Sequence, residues 1–337
     1  MWSEAAILHS WLKRDPVVQR PFVLHCAGGA ATELALQIKA SVPTARMVFN
    51  IFGLFHAEYL YKLGYERAED APPAIRNMAR DIHDRRRSAA QEADAAICVS
   101  RAMADYVVRE YGVPREKLTI IPCCVNVDQF SSGLAMRDAQ RHRMGLQDRL
   151  VVTYCGSMHR WQCPEASLRI FCACRRINPS AHFLALVTEP ERMRAIARSN
   201  GLQESDMTVL RVPHEQVPDY LACADIGILM REASLVNQVA SPVKFGEYLA
   251  SGTPVIISPN VGDFSAAAEK EDIGIVIDAD NPGPETEARL SAWITTLLRN
   301  APSTRERCQA FAQRHLSWPL HLPSIENLYT RLCETDQ

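Results

Sequence analysis

The stretch 241-SPVKFGEYLASGTPVIIS-258 contains a helix and the strand that follows it, and its residues mark both joints. Ser241 is the predicted N-cap, Pro242 suits the first helical position and Gly252 ends the helix; "TPVIIS" then reads as a short buried strand. Lys244 falls in the first turn, at the positive end of the helix dipole. A cation there is unfavourable by about 0.3–1 kcal/mol unless an anion binds nearby. Glu247, three positions on, shares its face. One short helix therefore offers a cation, free backbone N–H groups and a carboxylate to the same space, a set that suits a ligand carrying both phosphate and hydroxyls.

Outward from this stretch the same rhythm of short apolar run and helical pattern recurs. Upstream lie "LVVTYCGS" (150–157), "AHFLALV" (181–187), "MTVLRV" (207–212) and "ADIGILM" (224–230), and downstream "IGIVID" (273–278). These six runs predict a doubly wound parallel sheet. A second set, "FVLHC" (22–26), "ARMVFNI" (45–51), "AAICVS" (95–100) and "KLTIIP" (117–122), predicts another sheet in the first half. The pattern lapses at 127–149, which reads as an interdomain connection. The tail from 283 to 335 is helical by periodicity, with Pro302, Pro319 and Pro323 expected to break it. Open parallel sheets bind ligands at the carboxyl ends of their strands, and two such sheets facing each other make a cleft. The residues at those ends are Gly156 and Ser157, Arg231 and Glu232, the Lys244/Glu247 helix, and Gly53 in the first half.

With 337 residues, 47% of them hydrophobic, the chain can fill two cores. Lys and Arg total 37 against 39 acidic residues, a formal charge of −2, so no nucleic-acid partner is expected. The run "HDRRRS" (83–88) reads as a solvated helix face, with contact to an anionic membrane as the sharper alternative. Eleven cysteines, an odd number with no C-x-x-C, read as reduced thiols packed in cores and point to a cytoplasmic protein. Cys123 and Cys124 are expected in a packed turn. No apolar run approaches the ~18 residues that suggest a membrane-spanning helix.

The segments "EADAAICVSRAMADYVVREYGVPREKLTIIPCCVNVDQF" (92–130) and "ADIGILMREASLVNQVASPVKFGEYLASGTPVIISPNVGD" (224–263) resemble family 4 glycosyltransferases of the GT-B fold. The resemblance implies an α/β protein of two Rossmann-like domains facing a cleft. It places an acceptor-side domain at 1–135, a donor-binding domain at 150–300 and carboxy-terminal helices at 301–337 that pack back on the first. It also implies sugar transfer from a nucleotide-sugar donor to a glycan or lipid-linked acceptor, with retention of configuration, no cofactor and no bound metal. Glu247 then resembles the glutamate that accepts hydrogen bonds from the ribose, and Lys244 stands near the diphosphate. Gly156 and Ser157 resemble the loop that opens the donor domain, and Arg160 and Arg231 are candidate phosphate cations. Retaining transfer needs charge stabilisation at the leaving diphosphate more than a strong base, a role given to Lys244 and Arg160. His56, next to Glu58 in "FGLFHAEY", is the candidate acid or base of the first domain.

Three departures stand out. Val239 takes the place of a glutamate eight positions before Glu247, which passes the transferred sugar to Asn237, Gln238 or backbone N–H groups. Cys123-Cys124 replaces an Asn-Gly. Only about twenty residues precede "FVLHCAGGA", so the first domain reads as incomplete, and the chain is expected to bind donor but transfer sugar poorly unless a partner chain covers the exposed edge. "DAD" (278–280) reads as an acidic strand end rather than a metal site. Besides transfer, the readings in play are a nucleotide-sugar-binding protein without transfer and a sugar-nucleotide epimerase. A peripheral contact with the inner face of a membrane stays open.

Overall fold

The structure, a computed structural model, describes residues 20–278 and 283–334. It divides into two compact units. One contains the described residues up to Pro122 together with Ser234–Ser241 and His321 onward; the other contains Cys123–Ala233 and Pro242–Leu320.

The first unit carries a four-stranded sheet of β1 (Phe22–Ala27), β2 (Ala45–Ile51), β3 (Ala95–Cys98) and β4 (Leu118–Ile120), paired in that order and all parallel. β2 and β3 are almost wholly buried, and β1, at one edge, is half-exposed. Helices Gly29–Ser41, Phe55–Lys62 and Pro73–Glu92 connect these strands. The helix Pro73–Glu92 buries Ala79, Arg86, Ala89 and Ala90 on one stripe. The "HDRRRS" run is therefore not a uniformly solvated face: Arg86 falls on the buried stripe, seven residues after Ala79 and four before Ala90.

The second unit carries β5 (Leu150–Gly156), β6 (Ala181–Val187), β7 (Met207–Leu210), β8 (Ile226–Leu229), β9 (Val255–Ile257) and β10 (Gly274–Val276) in the order β10-β9-β8-β5-β6-β7, all parallel. Winding runs outward from β5 through β6 and β7. It then returns to β8 on β5's other side, so the switch point lies between β5 and β8. Both faces of the sheet are covered, which is why the strands read as continuous apolar runs. Val152, Tyr154, Phe183 and Ala185 point into one core, while Val151, Cys155, Leu184 and Leu186 point into the other. The chain matches the α/β, two-sheet, GT-B expectation in class and strand content.

The expected connection at 127–149 is instead helical, at Val127–Ser132 and Arg137–Arg143, and sends Val127, Phe130 and Leu146 into the second core. Its polar residues misled the reading because they are used for anchoring. Arg137 (2.5 Å) and Arg141 (3.1 Å), joined by Arg305 (2.9 Å), converge on Asp225, which also accepts the Val151 N–H at 2.9 Å. Pro302 and Pro319 open helices rather than break them, and Pro323 lies inside the helix Trp318–Glu334.

Candidate donor site

Strand β5 runs out at Gly156, beyond its last pairing with β8 at Thr153 and Gly227. A buried tyrosine fills the gap that opens between the diverging strands. The Tyr248 hydroxyl accepts the Cys155 N–H at 2.8 Å and donates to the Ile228 carbonyl at 3.4 Å. Its ring lies against Gly227, where an added Cβ would come within 2.8 Å of Tyr248 Cγ. Tyr248 thus fastens the start of the Gly156-Ser157 loop to the helix that carries Lys244.

That helix spans Val243–Ala250 with Pro242 at its N-cap, one residue later than predicted, so Ser241 precedes the cap and is buried. Gly252, at φ 69°, ends it as expected. Lys244 Nζ lies 2.6 Å from Glu247 Oε2. The pair is not a solvent-facing one, because Glu247 is only 2% exposed. Burial works to lower the Lys244 pKa, but the Cys155 thiol and the Glu247 carboxylate outweigh it and leave the pKa raised. Burial pushes the Cys155 thiol up to about 11. At neutral pH the site therefore holds an ammonium paired with the Glu247 carboxylate, a neutral thiol and the helix N-terminus.

These groups meet at a cavity of ≈ 380 Å³ outside the carboxyl ends of β5, β6 and β7, lined by Gly156, Ser157, Thr188, Arg211, His214 and Lys244 among others. Arg211 was missed by sequence reasoning; its only signal was its place just after an apolar run. Arg231, although at the end of β8, is buried, with its backbone N–H on Ser258 Oγ (2.8 Å) and its guanidinium on the Met230 carbonyl (2.8 Å). Arg160 lies outside the lining and pairs with Glu232 at 3.4 Å.

The other candidates belong to the first unit. Asn237 is buried in the short helix Leu235–Gln238 and donates from Nδ2 to Ser234 Oγ at 3.2 Å, while the Val239 carbonyl accepts from Ser100 Oγ at 2.7 Å. Ser241 also lies in this unit. His56 approaches the Tyr106 hydroxyl through Nε2 at 3.2 Å, and burial, then His83 and Arg86, hold its pKa down near 4. Burial raises the pKa of Glu58. None of the eleven cysteines is in a disulfide; Cys124 is buried and Cys123 partly so. Among the described residues no three His, Cys, Asp or Glu side chains are grouped to hold a metal ion. Of "DAD", Ala279 and Asp280 lie outside the described residues.

Residues 1–129 match the family model described as Glycosyltransferase Family 4. Over 262 residues the chain is 25% identical to the D-inositol 3-phosphate glycosyltransferase of Thermomonospora curvata, covering 72% of this chain and 58% of that one. It thus spans little more than half the length of that relative. The Anabaena protein HepE in complex with UDP superposes with a TM-score of 0.70 at 15% identity, covering 97% of this chain and 82% of HepE. HepE is also known in complex with UDP-glucose. A glycosyltransferase from Rickettsia africae gives a TM-score of 0.72 at 14% identity, covering 98% and 81%. The shared fold is GT-B.

Proposed function

We propose that this chain, a relative of the family 4 glycosyltransferases with their GT-B fold, transfers a sugar from a nucleotide-sugar donor to a glycan or lipid-linked acceptor, with retention of configuration and without a metal ion. The observation that carries the reading is the cavity beside the switch point, where Gly156, Ser157 and Lys244 meet at the carboxyl ends of the strands. A diphosphate entering it would take Lys244 as a partner and accept hydrogen bonds from backbone N–H groups. Glu247, relieved of the lysine, would accept from two hydroxyls of the ribose. As the bond from the anomeric carbon to phosphate breaks, negative charge grows on the departing oxygen, where a fixed ammonium acts most strongly. The acceptor hydroxyl bonds to that carbon on the face the diphosphate leaves, and its proton passes to the departing phosphate. A lipid-linked acceptor would hold the protein at a membrane surface; no described helix is long and apolar enough to cross one.

UDP is the first nucleotide to test, because HepE holds it. Calorimetry should show saturable binding that Lys244→Ala weakens at least tenfold, about 1.4 kcal/mol, and that EDTA leaves unchanged. Full affinity in Lys244→Ala and Glu247→Ala would remove the site from the reading. A loss on chelation restored by magnesium would bring a metal into it.

A further inference from the structure

Arg86 has no assigned task, and among the described residues of the first unit it is the charged side chain with the most unpartnered buried atoms. It is 5% exposed, and its two terminal nitrogens are buried with no hydrogen-bond partner. Its guanidinium lies between two phenyl rings, 4.5 Å from the centre of Phe49 and 4.2 Å from that of Phe55. Stacking stabilises the faces of a guanidinium by about 0.5–2 kcal/mol per ring but leaves its N–H donors, which lie in the plane, unanswered. No carboxylate among the described residues is within ion-pair distance of it. Glu58 keeps its carboxylate over Gly53, where an added Cβ would come within 2.1 Å of Oε1. The next residue, Arg85, is by contrast fully engaged, bridging Glu33 at 3.0 Å and Asp81 at 2.9 Å.

Arg86 also lines a cavity of ≈ 730 Å³, between the helices Gly29–Ser41 and Pro73–Glu92. Leu36, Phe55, Met78, Ile82 and Ala89 supply an apolar part of its wall, and the two carboxylates of the lining, Glu33 and Asp81, are both paired with Arg85. Glu58 attracts the guanidinium from beyond pairing distance; a buried cation with no directly paired counter-ion is costly, and the ligand that would relieve it in this setting carries an anion on an apolar body. We infer that this cavity binds a small amphiphilic anion, with a phosphate or carboxylate head on the two free donors of Arg86 and an apolar body along the wall. The nitrogens are shut off from solvent, so the head must displace a side chain on entry; Phe55, which stacks on the guanidinium and also lines the cavity, is the side chain that must move. The Phe49/Phe55 clamp fixes the guanidinium plane and so favours two-point recognition of the head.

The inference does not rest on the donor reading, since the site lies wholly in the other unit. The probes are hexyl phosphate, hexanoate, inorganic phosphate and neutral hexanol, measured by calorimetry and by thermal shift on the full chain without nucleotide. Hexyl phosphate or hexanoate should bind saturably, at least tenfold more tightly than hexanol or inorganic phosphate. Arg86→Met should remove that preference, Arg86→Lys should weaken it several-fold, and Arg87→Met, at an exposed residue of the same helix outside the lining, should leave it in place. UDP affinity in Arg86→Met should match that of the unaltered chain. If Arg86→Met does not fold, the discrimination between hexyl phosphate and hexanol in the unaltered chain decides the question alone. No saturable binding of either anion, equal affinity for hexanol, or a loss that follows Arg87 instead of Arg86 would overturn the inference.

Discussion

The lysine in the first turn of a helix is placed where charge repels it, and the structure shows how the protein tolerates it without ligand. Glu247, one turn along, supplies the missing anion at 2.6 Å from inside the protein. A part-exposed lysine and a buried glutamate that a bound diphosphate and ribose could separate form a more useful arrangement than a solvated pair, because each is relieved by a different part of one ligand. Lys244 has a raised pKa, so it is charged throughout the neutral range and loses its proton only above its ordinary value. Tyr248 acts beside this pair without lining the cavity. Tyr248→Phe removes the acceptor of the Cys155 N–H and strands a buried donor, a cost of about 1–3 kcal/mol. The expected outcome is a lower urea midpoint together with a weaker nucleotide KM, since the Gly156-Ser157 loop loses its fastening. A variant that is less stable but has unchanged KM would make the tyrosine purely structural. That Lys244 and Glu247 share one face of the helix was legible from their spacing. Tyr248 was not, because a tyrosine inside an apolar helix gives no sign of where its hydroxyl ends.

Nine of the ten described strands fall within the apolar runs that predict them, and β1, half-exposed at its edge, overruns its run by Ala27 alone; strands covered on both faces leave an unbroken signature in the chain. What sequence could not supply was strand order. The placement of β8 beside β5 turns the ends of distant segments into one switch point, and nothing local records it. A glycine inside β8 did carry a trace: Gly227 admits the Tyr248 ring, as glycines in strands often admit a close neighbour. Gly227→Ala should force that ring aside and cost about 1–3 kcal/mol by overpacking. The measurement is chemical denaturation of the second unit, and stability within error of the parent would show that the ring can shift freely. The segment 127–149 was misread for a related reason: its arginines look solvated until Asp225 is placed between them. Asp225→Ala would leave three partly buried guanidiniums without their shared carboxylate and is expected to cost about 3–5 kcal/mol. A loss below about 1 kcal/mol, the range of surface pairs, would show that the backbone carbonyls alone hold them.

Over the whole molecule, the two units hold separate cores and separate titratable reporters, so each can be followed through its own histidine. His56 belongs to the four-stranded unit and His182 to the six-stranded one, and burial first of all holds both pKa values near 4. His182 keeps a hydrogen bond to Thr208 Oγ1 at 2.9 Å, which a neutral ring can make. In the unfolded chain both return to about 6.5. Above pH 7 neither state binds the proton, and the histidines are silent. As pH falls below 6.5 the unfolded chain takes up protons that the folded chain refuses, so stability falls toward pH 4 by at most about 1.4 kcal/mol per pH unit for each group. Carboxylates add their own losses nearer pH 4, which makes pH 5–6.5 the informative window. Two units with their own cores need not unfold in one step, so urea curves should be read by separate probes for each. His56→Gln should flatten the pH dependence of the first unit's transition only, and His182→Gln that of the second only, each by close to one proton. Midpoints that do not move between pH 6.5 and 5, or a single substitution that flattens both transitions equally, would show that the histidines are not held neutral separately in the two units.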